Sequence, residues 1–331
     1  DHVVFGITFH HVAFDGVSYK RFVQILSDAY RNEHEIPNQD RNNAMLLIPQ
    51  VEPNDISFWK YYIQDKGLYQ ELHFTRNTTD ISQKIKGASF QCPEILAKKI
   101  HEFCQKKQFT DFRLIATAFS ALIGLYNQNP FDATKQTICL GHAVYLGKDN
   151  SSGCWSNFVP LLVEIDSNQS PIHLIEGFSK QRRAIKRHQH VPLLTILKQT
   201  KLQFGKSPLN LIINESPGLL RKRTINLESV SCDIDGSEID GSYDLSILYD
   251  RLDASTLWLR LEYREGLLGH AQPYEMQENL LNLLTFFVDE PQSHLKSFKM
   301  QSFDHFSDVS YPLPIPMDFL KSIHHATKQY Q

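Results

Sequence analysis

Two adjacent histidines, His10 and His11, close an apolar run, and Asp15 and Gly16 follow within the stretch "TFHHVAFDGVSY" at 8–19. An imidazole with a pKa near 6.5 can take a proton from an amine or thiol close to neutral pH. The carboxylate of Asp15 could orient an imidazole or hold the loop by pairing with a cation, and Gly16 would permit a tight turn at a helix start. Proton transfer is one reading of these residues; a structural histidine pair is the other. In a strand the side chains alternate faces, so only one of His10 and His11 can reach a given cleft.

The flanking segments say what would position the motif. Residues 2–9, "HVVFGITF", predict a buried strand, and "GVSYKRFVQILSDAY" from Gly16 carries apolar residues at helical spacing. The motif then lies on a strand-to-helix loop. A second helix is predicted over "DISFWKYYIQD" at 55–65, followed by a polar, irregular crossing between lobes from Lys66 to Lys84. Helices are predicted over 93–107 and 111–129, the second apolar nearly all round and therefore buried, and a long one over 170–189. Strands are predicted over 136–146, 156–166, 209–216, 243–252 and 255–264, and a last helix over 272–289. This mixed order predicts an α/β architecture. From Phe303 the chain is polar and punctuated by proline, as in "YPLPIP" at 311–316, which is the composition of a linker.

Composition limits the function classes. The chain has 331 residues, 41% apolar and 21% charged, enough for a real core in one large or two ordinary domains. A formal net charge of −3 and the lack of a long basic run give no indication of a nucleic-acid or membrane partner. The most basic segment, "KQRRAIKRHQH" at 180–190, reads as the solvated face of a helix. Cys92, Cys104, Cys139, Cys154 and Cys232 form no CxxC pair and no even framework, which predicts reduced thiols in the cytoplasm and no thiolate metal site. No run of about 18 apolar residues is present.

"HHVAFDG" resembles the HHxxxDG motif of the condensation domains of nonribosomal peptide synthetases, within the chloramphenicol-acetyltransferase-like superfamily. "DISFWKYYIQD" is similar to the Trp- and Tyr-bearing helix that follows in these domains, and "ICLGHAVYLGKDNSSGCWSNFVPLLVEI" to their strand, glycine loop and "GxFxN…PL" segment. "RHQHVPLLTIL" resembles "HQxxPF", "SPLNLIINES" a strand ending in Asn, and "YDLSILYDRLDASTLWLRLEYREGLL" the paired strands after it. Order and gaps agree over residues 1 to about 300.

The resemblance implies a two-lobed fold of mixed sheets covered by helices, with the first lobe incomplete. It places the remainder of that lobe at 1–75, the second lobe at 76–302 and, at 303–331, a linker leading toward an adenylation domain. It implies that His11 assists or positions an attacking amine, that Asp15 shapes the loop by pairing with an arginine, and that the Gly16 N–H lies beside a developing oxyanion. His10 packs away from the channel, while Asn157 and Asn214 support the loop or tunnel. Donor and acceptor would arrive on the phosphopantetheine arms of an upstream and a downstream carrier domain, with no tightly bound cofactor and no metal. The arginine partner of Asp15 belongs, by the resemblance, to a region ahead of residue 1, so Asp15 is expected to lack a partner in this chain. "HQHVP" has His190 where an acidic residue is common. Rival readings are an epimerisation domain, which "DGVSYKRF" disfavours, an ester-forming acyltransferase, and a carrier-docking domain without activity.

Overall fold

The structure is a computed structural model and describes residues 7, 10, 14–32, 50–64, 66–74, 82–127, 135–147, 154–199, 208–216, 220, 223–227, 230–234, 243–269 and 272–301. The predicted strand at 2–9 lies outside them except for Ile7. The chain forms two compact units, Asp1–Met300 and Gln301–Gln331, and every element named below belongs to the first.

Helix α1 (Gly16–Asn32) starts at the motif, and α2 (Pro53–Ile63) follows with Pro53 in its first turn, where the missing N–H costs nothing. Strand β1 (Ile85–Gln91) leads into α3 (Glu94–Lys107), which stops where Gln108 turns left-handed at φ 56°. Helix α4 (Asp111–Asn127) is buried from Leu114 through Gly124, as its all-round apolar sequence predicts. Then come β2 (Lys135–Tyr145), β3 (Ser156–Asp166), α5 (Pro171–His188) and the short α6 (Leu193–Leu197). Strand β4 (Leu211–Glu215), the hairpin β5 (Arg223–Leu227) and β6 (Val230–Ile234), β7 (Leu245–Arg251), β8 (Leu257–Arg264) and α7 (Gln272–Asp289) complete the order.

Six strands form one sheet in the order β1-β8-β7-β4-β2-β3. The pairs β2/β4 and β4/β7 are parallel and the others antiparallel. Parallel neighbours need long connections, and β2 reaches its parallel neighbour β4 through β3, α5 and α6. Helix α4 packs on β2 and β3 and also touches α3, α5 and α7, so the core is a helical layer on one sheet. Strand β3 is a sheet edge, and α2 covers it. The outward N–H of Leu162 donates to the Tyr62 hydroxyl at 2.7 Å, which satisfies a group that an edge would otherwise leave open. Trp59, fully buried on the same helix, donates its indole N–H to the His188 carbonyl at 3.0 Å.

Strand β1 and the β5/β6 hairpin are not anticipated by periodicity. "IKGASFQ" has few β-branched residues and pairs on one side only, with β8. The basic stretch is corrected in part: Lys180, Arg183, Lys186 and Arg187 are exposed, but Arg182 turns inward against α4.

Strands β2 and β4 meet at the single pair Gly141 and Ile212. A Cβ on Gly141 would lie 2.7 Å from Ile212 Cδ1 and 3.1 Å from Leu209 Cβ, so glycine lets the two strands approach. Gly141→Ala is expected to destabilise the fold by about 1–3 kcal/mol through overpacking, read as a lower urea midpoint with an unchanged slope.

Candidate active site

Asp15 sits on the loop into α1 and is 4% exposed. Its Oδ1 accepts the Ser18 N–H at 2.9 Å, and its own carbonyl accepts the Tyr19 N–H at 2.9 Å, which makes it the N-cap of α1. Its Oδ2 accepts the Trp155 N–H at 2.9 Å and the Ser156 hydroxyl at 3.1 Å. One carboxylate therefore starts a helix with one oxygen and grips the beginning of β3 with the other. Burial works against its ionisation. The N–H groups of Ser18 and Trp155 and the hydroxyls of Ser18 and Ser156 outweigh burial and hold the carboxyl below its ordinary value of 3.8. The expectation of an unpartnered Asp15 is thus corrected: its donors are neutral, come from within the chain, and include no arginine among the described residues.

His11 lies outside the described residues. His10 is exposed. Phe14 meets Phe22 edge-on at 6.2 Å, which fixes how the chain enters α1. Gly16 is the first residue of α1; a Cβ there would meet nothing within 4 Å, and it is not among the residues with positive φ. The turn into α1 therefore does not itself require glycine at this position.

Asn157 follows Ser156 on β3 and points the other way, as strand alternation requires. Its amide donates to the carbonyls of Gln189 at 2.8 Å and Val191 at 2.7 Å, while its oxygen accepts the Leu193 N–H at 3.1 Å. All three bonds hold the turn between α5 and α6. Asn214 lies on β4 just beyond the point where β2 and β4 meet, and its Oδ1 accepts the Ala143 N–H at 2.8 Å, doing the work of a ladder bond with a side chain.

His142 escaped the sequence reading. Its Nδ1 lies 3.1 Å from the Ile213 carbonyl, which can only accept, so Nδ1 carries the proton and Nε2 is left as an acceptor. Burial, aided by the Arg182 charge, pushes its pKa down to about 4, so the ring is neutral at pH 7. Phe112 packs on it at 4.4 Å. A second cluster centres on buried Asp55, which accepts the Glu52 N–H at 2.9 Å and faces His188 Nδ1 at 2.6 Å and His190 Nε2 at 3.1 Å. Burial opposes ionisation there too, but the Glu52 N–H and the two imidazoles hold the carboxyl low. The spacing "HQH" was visible in the sequence; a partner 133 residues away was not. The Cys92, Cys104 and Cys139 thiols are buried and pushed up to about 12, far from the range of an activated thiolate. Among the described residues, no group of three or more His, Cys, Asp or Glu is placed to hold a metal, and no single helix is long and apolar enough to cross a membrane.

A mixed sheet layered with helices, its first helix tied to strand β3 by one carboxylate, defines an α/β protein. The profile of the condensation-domain family matches residues 1–305, and the chain belongs to that family. It is similar to a hybrid PKS-NRPS synthetase, LUC5, of Fusarium sp, at 21% identity over 313 residues, covering 89% of this chain and 8% of that protein. It is also similar to a plipastatin synthase of Bacillus subtilis (strain 168), at 20% identity over 318 residues, covering 88% of this chain and 12% of that one. The chain thus spans about an eighth or less of the length of these two relatives. Its fold matches that of holo-AB3403, a four-domain nonribosomal peptide synthetase, with a TM-score of 0.72 at 16% identity over 89% of this chain and 24% of that one.

Asp15→Ala is expected to cost roughly 2–3 kcal/mol at pH 7, about 1 for the cap and the rest for the Trp155 and Ser156 donors left unpaired. Because the folded carboxyl sits below 3.8, this contribution is complete above that pH and fades as the pH falls through the lower, folded value. Urea unfolding of the wild type and the variant at pH 7 and pH 3 checks both the size and the convergence of the two curves.

Proposed function

We propose that the chain forms an amide bond between a donor acyl thioester on one phosphopantetheine arm and an acceptor amine on another. The amine nitrogen attacks the thioester carbonyl, the tetrahedral oxyanion collapses, the C–S bond breaks, and the amine proton passes to the departing thiolate. The thioester is already activated, so holding two tethered reactants together can supply about 7 kcal/mol or more. His11, as base or as positioning group for the amine, need add only about 10²-fold. The Gly16 N–H would face the oxyanion. A position that needs glycine for neither φ nor packing is consistent with a reactant passing close to the backbone.

The observation that supports this reading is the double use of the Asp15 carboxylate, which fixes the start of α1, just after His11 in sequence, against the start of β3. On this reading Asn157 and Asn214 are supports, Asn157 spent on backbone groups and Asn214 on the Ala143 N–H and the His142 ring. Residues 1–75 would belong to a first lobe completed by sequence ahead of residue 1, residues 76–302 would form the second lobe, and 303–331 would lead toward an adenylation domain in the cytoplasm. The partners would be an upstream donor carrier and a downstream acceptor carrier.

The test is amide formation between donor-loaded and acceptor-loaded carriers, followed by intact-protein mass spectrometry. It compares this chain, the chain extended upstream, and the extended His11→Ala variant. Product from the extended chain, lowered about 100-fold or more by His11→Ala, is the expected result. Absence of product from the extended chain, with carrier binding retained, would replace this reading with a docking domain.

A further inference from the structure

His188 is the last residue of α5, and His190 lies two residues beyond it. On a continuing helix, side chains two residues apart point about 200° apart and share no partner. Here they share the buried carboxylate of Asp55, with Oδ1 at 2.6 Å from His188 Nδ1 and Oδ2 at 3.1 Å from His190 Nε2. An ionised carboxylate only accepts, so each of these nitrogens carries the proton. Sharing one partner fixes where α5 ends and how the chain leaves it. Helix α2 holds the same point twice more. Phe58 stacks on the His188 ring at 4.1 Å, and the His188 carbonyl that takes the Trp59 indole N–H also takes the Val191 N–H at 3.2 Å, which closes the turn.

Asn157 grips this turn from the other side, through the Gln189 and Val191 carbonyls and the Leu193 N–H. The two residues before it, Trp155 and Ser156, are the donors to Asp15 Oδ2. Hydrogen bonds therefore run unbroken from α2 through the turn to the start of β3 and on to the cap of α1. Strand β3 is a sheet edge paired only with β2, so side-chain holds decide where its first residues sit. We propose that Asp55 is a positioning residue for Asp15: acting through His188, His190 and Asn157, it holds the start of β3 where Asp15 closes on it. The use of this link in amide formation rests on the function proposed above; the link itself does not.

The test is amide hydrogen exchange of the 331-residue chain, followed residue by residue by NMR at about pH 8, where imidazoles are neutral. The reference is the Cys92 N–H, which donates to the Leu257 carbonyl beside β1, the opposite edge of the sheet. In Asp55→Ala the protection of the Trp155 and Leu193 N–H groups is expected to fall about tenfold or more while that of Cys92 holds. Asp55→Asn is expected to restore it, because its oxygen can accept the Glu52 N–H and His190 while its NH2 donates to His188 in the other tautomer. An equal fall at Trp155 and Cys92, which a weaker fold as a whole would give, overturns the proposal. So does unchanged Trp155 protection in Asp55→Ala, or an Asn variant no better than Ala. Amide formation by the extended chain is expected to fall about tenfold or more with Asp55→Ala, and full activity would overturn the role in that reaction. No product from the extended wild type would count against the reaction alone, with the exchange result still deciding the link.

Discussion

A carboxylate has two oxygens, and in Asp15 they serve two elements that the chain separates by 140 residues. One oxygen satisfies an orphan N–H at the start of α1, where the helix dipole also favours negative charge. The other satisfies the Trp155 N–H and the Ser156 hydroxyl before β3 enters its ladder with β2. Without that link α1 would still have a helical sequence, but nothing in the sequence would fix where it starts relative to the sheet. The first two residues of β3 extend the constraint to both sides. Ser156 faces the loop, and Asn157, one residue on, fixes the α5–α6 turn with three bonds.

The same balance of burial against donors recurs through the molecule. Asp15 and Asp55 are both buried, and both stay ionised because three or more donors converge on each. His142 is buried beside the Arg182 charge, and the Ile213 carbonyl and the Asn214 side chain do not outweigh that, so it follows the other course and gives up its charge. Glu262 is another buried carboxylate handled by hydrogen bonding, taking the Tyr243 hydroxyl at 2.7 Å, the Ser246 hydroxyl at 2.9 Å and Arg260 Nε at 2.7 Å.

Elements with strong periodicity were legible. The helices at 16–32, 53–63 and 111–127, and the apolar runs of β2, β3, β7 and β8, follow from apolar spacing. Strand β1 was not, because an edge strand with Gly87 and Ser89 carries little pattern, and its identity comes from its register with β8. Asp15, Asn157 and Asn214 could be singled out by residue type, but their partners could not. Trp155, Gln189 and Ala143 contribute backbone groups, and a backbone group has no residue signature to read. His142 was hidden for a related reason: its role rests on the Ile213 carbonyl and on burial under Phe112, neither of which leaves a local pattern.

The nature of the donors to Asp15 also sets the electrostatics of the loop. A guanidinium partner would cancel the carboxylate charge at close range, and the pair would present only a dipole to its surroundings. Neutral N–H and O–H donors stabilise the charge without cancelling it, so the negative field of Asp15 persists at the start of α1. A carboxylate held this way favours positive charge nearby, including the charge that an imidazole gains when it accepts a proton from an amine. The loop can therefore be fixed mechanically and biased electrostatically by a single side chain. The cost is burial of one charge, offset by the cap of α1 and the two donors at the start of β3.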